Sequence, residues 1–130
     1  LTRLVGSEMC IRDRYETLTH EKLSAEDIFE KFLDKEPDAL FVINGFIKSL
    51  SQTLSDLALS FLPGKGILLA GSLSRSIYTH FNEQNFFKPF INNNTGMHFD
   101  ILKNTPIGVI TKERTPLYGN LSFYKNLNKI

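Results

Sequence analysis

The side chains that could do chemistry are few and scattered. His20, His80 and His98 stand far apart, and none has a second ligand at the spacing a metal site needs. No CxxC or HExxH run occurs, so no metal ligands are expected here and each histidine is placed at the surface or half-buried. Asp100 and Glu113 could be paired on paper as acid and base, but no pattern brings them together, and both read as solvated loop residues. The strings GxGxxG, GxxxxGK(S/T) and GxSxG are absent. Lys65 lies between Gly64 and Gly66 without the phosphate-loop spacing and ahead of a strand rather than a helix, which makes it a turn.

The informative place is Gly66-Ile67-Leu68-Leu69-Ala70-Gly71-Ser72-Leu73. A short apolar run between turn residues predicts a buried strand, and a polar start at Ser74-Arg75-Ser76 predicts a helix after it. Ligands of open α/β sheets bind beyond the carboxyl ends of strands. A glycine there lets a flat ring or a phosphate approach the backbone, and the helix that follows presents unpaired N–H groups. A plain strand-to-helix turn has the same spacing, so spacing alone leaves both readings open.

The elements that must hold this junction can be read outward from it. Ser24-Ala25-Glu26-Asp27 is a helix start, followed by Ile28, Phe29, Phe32 and Leu33 at helical spacing, and Glu36-Pro37 ends that helix. A long helix is predicted from about Asp38 to Leu62, with an apolar stripe through Ala39, Ile43, Ile47, Leu54 and Phe61. Phe41, Val42 and Leu62 widen the stripe, so this helix is expected to be covered on more than one side. Pro63-Gly64-Lys65-Gly66 stops it. Phe86, Phe87, Phe90 and Ile91 repeat a helical spacing before the Asn92–Gly96 loop, and Met97 to Asn104 leaves helix and loop both open. Ile107 to Thr111 reads as a second buried strand. Thr115-Pro116 opens a last helix with Leu117, Leu121, Tyr124 and Leu127 on one side. The order α-α-β-α-α-β-α implies an α/β fold with parallel strands and right-handed crossovers. Two strands do not make a stable sheet alone, so the chain looks like part of something larger.

Residues 1–14, LTRLVGSEMCIRDR, lack the apolar stretch and cleavage site of a signal peptide. The run Leu4–Asp13 resembles a translated transposase-type sequencing adapter, since CTC GTG GGC TCG GAG ATG TGT ATA AGA GAC would give those residues in order. It is expected to have no fold, and Cys10 within it to be neither nucleophile nor ligand. The domain proper is then 15–130. The whole chain of 130 residues carries a formal charge of +1. Setting 1–14 aside leaves equal numbers of acidic and basic residues and no cysteine. Neither nucleic acid nor an anionic membrane is therefore an expected partner, and a soluble, cytoplasmic protein is.

The residues from Leu23 to Leu127 resemble the C-terminal part of bacterial glucokinases of the hexokinase superfamily. Gly66–Leu73 after a long apolar helix is similar to that family's strand and turn. Asn85-Phe86-Phe87-Lys88-Pro89-Phe90 resembles its "GF-x-x-x-F" helix, Asn104–Thr111 its "D-I-P-V-x-x-I" strand, and Thr115-Pro116-Leu117-Tyr118-Gly119 its "x-P-x-L-x-G" helix start. The resemblance implies a partial ribonuclease-H-like, actin-like ATPase lobe, about the final third of a two-lobed enzyme. It implies transfer of the γ-phosphoryl group of ATP, with Mg²⁺, to the 6-hydroxyl of glucose. Glucose and ATP are the implied partners, with a homodimer as an assembly open to the full-length form. The family's phosphate loop, base and sugar-binding residues match nothing in this chain. No catalytic residue is therefore assigned, and the chain alone is expected to be inactive.

Gly71, Ser72 and Gly119 are carried over as nucleotide neighbours. Ser72 stands where the family has a second glycine, so its side chain either narrows the adenine slot or caps the following helix. The alternatives are a sugar-responsive regulator on the same fold and a non-catalytic α/β interaction domain.

Overall fold

A computed structural model of the chain describes residues 7–92 and 94–127. Helix α1 spans Ser7–Thr19, α2 Ala25–Leu33 and α3 Pro37–Phe61. Strand β1 is Ile67–Leu69, followed by α4, Ser72–Ile77, which tightens into a 3₁₀ turn at Tyr78–His80. A π-helical turn, Glu83–Phe87, runs into the short helix α5, Lys88–Ile91. Helix α6 is Met97–Asn104, strand β2 Ile107–Val109, and α7 Thr115–Leu127.

The expected absence of fold over 1–14 does not hold for its described part. Ser7 to Arg14 belong to α1, and Ile11 is buried together with Tyr15 one turn later. That i, i+4 pair is the inner face of a helix lying on α2 and α3. Leu4, Val5 and Gly6 of the adapter-like run lie outside the described residues. So does Asn93 of the asparagine loop.

Helix α2 starts as its sequence implies. Ser24 Oγ accepts from the Asp27 N–H at 3.1 Å, and the Asp27 carboxylate accepts from the Ser24 N–H at 3.4 Å, a reciprocal capping box. Helix α3 begins with Pro37 in its first turn, where a missing N–H costs nothing. It ends at Leu62, which takes a left-handed conformation at φ 46°. Helices α1 and α2, the π-helical turn, α5 and α6 all pack on α3, so its inner residues, Val42, Ile43 and Ile47, are fully buried. The stripe does not stay buried to its end, because Phe61 and Leu62 lie open to solvent.

Around Phe86 the regular spacing conceals a wider turn. Phe86 stacks on Phe81 with centroids 4.1 Å apart, and lies nearly parallel to the Phe90 ring at 6.2 Å. Pro89 has no N–H to give, and its ring would crowd the carbonyl four residues back. The turn before it is π-helical instead. Asn82 caps that turn by accepting from Gln84 and Asn85, and Ser51 Oγ donates to the Phe86 carbonyl at 2.5 Å, tying it to α3.

Strands β1 and β2 pair in parallel, Ile67 opposite Ile107 and Leu69 opposite Val109. They are not the buried strands expected. Ile67, Leu69 and β2 are half-buried, and Leu68 is 72% exposed. One face of the pair meets the helices, and nothing among the described residues covers Leu68. The expected order also gains elements, with α1 at the front and three helices, α4, α5 and α6, between the strands. The result is a helix-rich fold with a small parallel sheet, compatible with the α/β class. Helix α7 starts at Thr115 with Arg114 as its cap, one residue earlier than the Thr-Pro signal suggests. The stripe Leu117, Leu121, Tyr124 is exposed, and the Leu127 side chain lies outside the described residues.

Candidate functional site

Strand β1 delivers the chain to Gly71, which adopts φ 116°, ψ 164°. Side chains rarely reach this region, so the position requires glycine for its conformation. Crowding is not the reason, since a Cβ at Gly71 would meet nothing within 4 Å. The space over the strand end is open. Helix α4 follows at once, and no side chain caps its first turn. Ser72 therefore does not act as the cap. The hydroxyls of Ser74 and Ser76 instead donate back to the carbonyls of Ala70 and Ser72, at 3.4 and 3.2 Å.

Ser72 is exposed and borders a recess of about 320 Å³ between α1, α2 and α4. Ile11, Phe29 and Ile43 give the recess apolar walls, and Glu8, Glu26 and Glu30 line its rim. Three carboxylates there disfavour a phosphate within the recess. Gly119, the third residue carried over, lies mid-way along α7 and is open on all sides. Outside the helix itself, α7 bonds at its start to Arg114, and Thr115 Oγ1 donates to the Lys112 carbonyl. No described hydrogen bond joins Gly119 to Gly71 or Ser72.

Two polar clusters had no local signal in the sequence. Lys31 Nζ donates to the Tyr15 hydroxyl at 3.0 Å and lies 3.4 Å from both Glu21 and Glu36. Tyr15 in turn donates to Glu36 at 3.2 Å. The bond to Tyr15 first, and the two carboxylates after it, hold the Lys31 ammonium above the ordinary lysine range. Further along, Asn85 Nδ2 donates to Asn44 Oδ1 at 2.9 Å and to the His80 carbonyl at 3.0 Å. This amide pair underlies an open groove that includes Phe41, Lys48 and Gln84. The Asn85–Asn44 partners are 41 residues apart, so no spacing rule could have paired them.

His20 and His98 are exposed, and His80 is half-buried, edge-on to Phe32 with centroids 4.9 Å apart. Asp100 and Glu113 are both exposed. Among the described residues no three His, Cys, Asp or Glu side chains stand together as a metal site, and no helix is long and apolar enough to cross a membrane. Cys10 is exposed and unbridged.

A family model described as "Glucokinase" matches residues 7–127. Among curated proteins, a glucokinase of Mesorhizobium japonicum is 29% identical over 91 residues. That stretch is 70% of this chain and 26% of the relative, so the match spans about a quarter of the relative's length. No solved structure matches.

Proposed function

The chain belongs to the glucokinase family, and from that premise we propose that it is the C-terminal part of a cytoplasmic enzyme that phosphorylates glucose with ATP. The observation that carries the reading is the family match, which spans every described residue. The short share of the relative that is matched supports the view of a partial lobe, ribonuclease-H-like in fold, and the parallel pairing of β1 and β2 is compatible with it.

Transfer of a γ-phosphoryl group to the 6-hydroxyl of glucose requires positioned phosphates, a cation against developing charge, and a carboxylate to take the hydroxyl proton. Among the described residues no group of three His, Cys, Asp or Glu side chains stands together to hold Mg²⁺. Base, phosphate loop and sugar site are assigned to the remainder of the polypeptide. What this chain contributes is the adenosine side. The bare α-carbon of Gly71 lets a flat ring settle against the end of β1, and Ser72 narrows that slot. The Glu8, Glu26 and Glu30 rim steers a triphosphate away from the neighbouring recess. Gly119 is the third expected neighbour.

A coupled assay on the purified 130-residue chain should yield no glucose 6-phosphate; formation of product would overturn the partial-enzyme reading. In a polypeptide extended to the relative's length, Gly71→Val should raise KM for ATP about tenfold and leave KM for glucose unchanged. An unmoved KM for ATP would overturn the nucleotide role of Gly71.

A further inference from the structure

Helix α1 is held to the rest of the chain at few points. Of its described side chains only Ile11 and Tyr15 are buried, and Thr19 is half-buried; the others face solvent. It is joined to α2 through His20, which takes a left-handed conformation at φ 61°, and through Glu21, Lys22 and Leu23, which belong to no helix or strand. A non-glycine residue in that region marks a sharp break in the chain. The polar attachment of α1 converges on one cation. Lys31 Nζ, on α2, donates to the Tyr15 hydroxyl at 3.0 Å and stands 3.4 Å from Glu21 in the connection and 3.4 Å from Glu36 at the head of α3. The Tyr15 hydroxyl donates in turn to Glu36 at 3.2 Å. Four successive segments therefore meet at Lys31. Arg14 adds a lighter contact, its guanidinium 5.4 Å from the centre of the Phe41 ring on α3. Beneath α1 lies the recess that Ser72 borders, and Glu8 and Ile11 supply its α1 side.

We propose that α1 is a hinged strap over that recess, closed by the Tyr15–Lys31–Glu36 latch and free to swing out about His20–Leu23 while the α3 core stays folded. Two buried side chains and one polar cluster hold α1, whereas α3 is buried by several elements along its length. Opening of α1 therefore requires less free energy than unfolding of the whole chain. It uncovers Ile43 and turns the recess into a wider apolar cleft beside Ser72. The latch sets how often this happens. Lys31 serves three acceptors at once, so its loss unties Tyr15 and leaves two carboxylates without their cation.

Native-state hydrogen exchange of the 130-residue chain, followed through a urea series below the unfolding transition, tests it. Amides from Ile11 to Thr19 should exchange through an opening almost indifferent to urea, roughly 100-fold more often than the slowest amides of α3, whose exchange should steepen with urea. Lys31→Met, which keeps the aliphatic stem, should speed the α1 amides about three- to tenfold. Leu54 is buried about 16 Å further along α3 than Ile43. Leu54→Ala should speed the α3 amides at least about tenfold and leave those of α1 within about twofold, because swinging α1 out does not break the packing of Leu54. Should that variant not fold, the urea series on the unsubstituted chain still decides. Equal exchange free energies and urea slopes for α1 and α3 overturn the strap, as does an α1 that follows α3 in Leu54→Ala. An α1 unmoved by Lys31→Met overturns the latch.

Discussion

At Gly66 the backbone and its neighbour agree on glycine. The residue sits at φ 93°, and a Cβ there would overlap the Pro106 carbonyl oxygen that accepts the Ile67 N–H at 2.9 Å. Gly71 shares the left-handed requirement without the crowding, and Gly119 has neither. Three alanine substitutions should therefore separate by sign and size in urea unfolding. Gly66→Ala should destabilise most, by about 2–4 kcal/mol, because strain and overlap combine and the β1–β2 hydrogen bond shifts. Gly71→Ala should cost about 1–2 kcal/mol from strain alone. Gly119→Ala, exposed in a helix interior, should stabilise α7 by up to about 1 kcal/mol. A Gly71→Ala cost equal to that of Gly66→Ala would show that Gly71 is packed and not open to a ligand. The strand-to-helix turn at Gly71 was legible from sequence. The crowding at Gly66 was not, because its partner Pro106 arrives from the far side of the crossover.

Whole elements were legible where their signals are local. The Ser24 capping box, Pro37 in a first turn and the Pro63–Gly66 stop each act within a few residues, and each boundary fell within a residue or two of its signal. The π-helical turn was not legible, because Phe86, Phe87, Phe90 and Ile91 satisfy an ordinary helix and only Pro89 betrays the wider ring. Helix α1 was obscured differently. Its buried pair, Ile11 and Tyr15, straddles the point at which the adapter-like run was set aside, so neither half shows the stripe. This makes α1 testable. If Ile11 is core, Ile11→Ala should lower stability by about 2–5 kcal/mol in thermal or urea melts, as for other fully buried aliphatic truncations. An unfolded leader would give no change. Deleting residues 1–14 should do at least as much harm, since the face of α3 beneath Ile11 would be bared.

Across the molecule, burial is uneven. Helix α3 is wrapped by five other elements, whereas the two strands meet helices on one face and α7 keeps its apolar side chains in solvent. Hydrophobic burial is what resists local opening, so protection should follow this distribution. Native-state hydrogen exchange should find the slowest amides between Val42 and Ala58, where the inner face is fully buried. The β1–β2 amides, including the Ile67 N–H to Pro106 and the Ile110 N–H to Leu69, should exchange on the order of 100-fold faster, because three-residue strands fray from both ends. Amides of α7 should exchange faster still, since an isolated helix of 13 residues is marginal in water. Uniform protection across the chain would mean that strands and terminal helix share the opening free energy of the α3 core, contrary to how the buried surface is distributed.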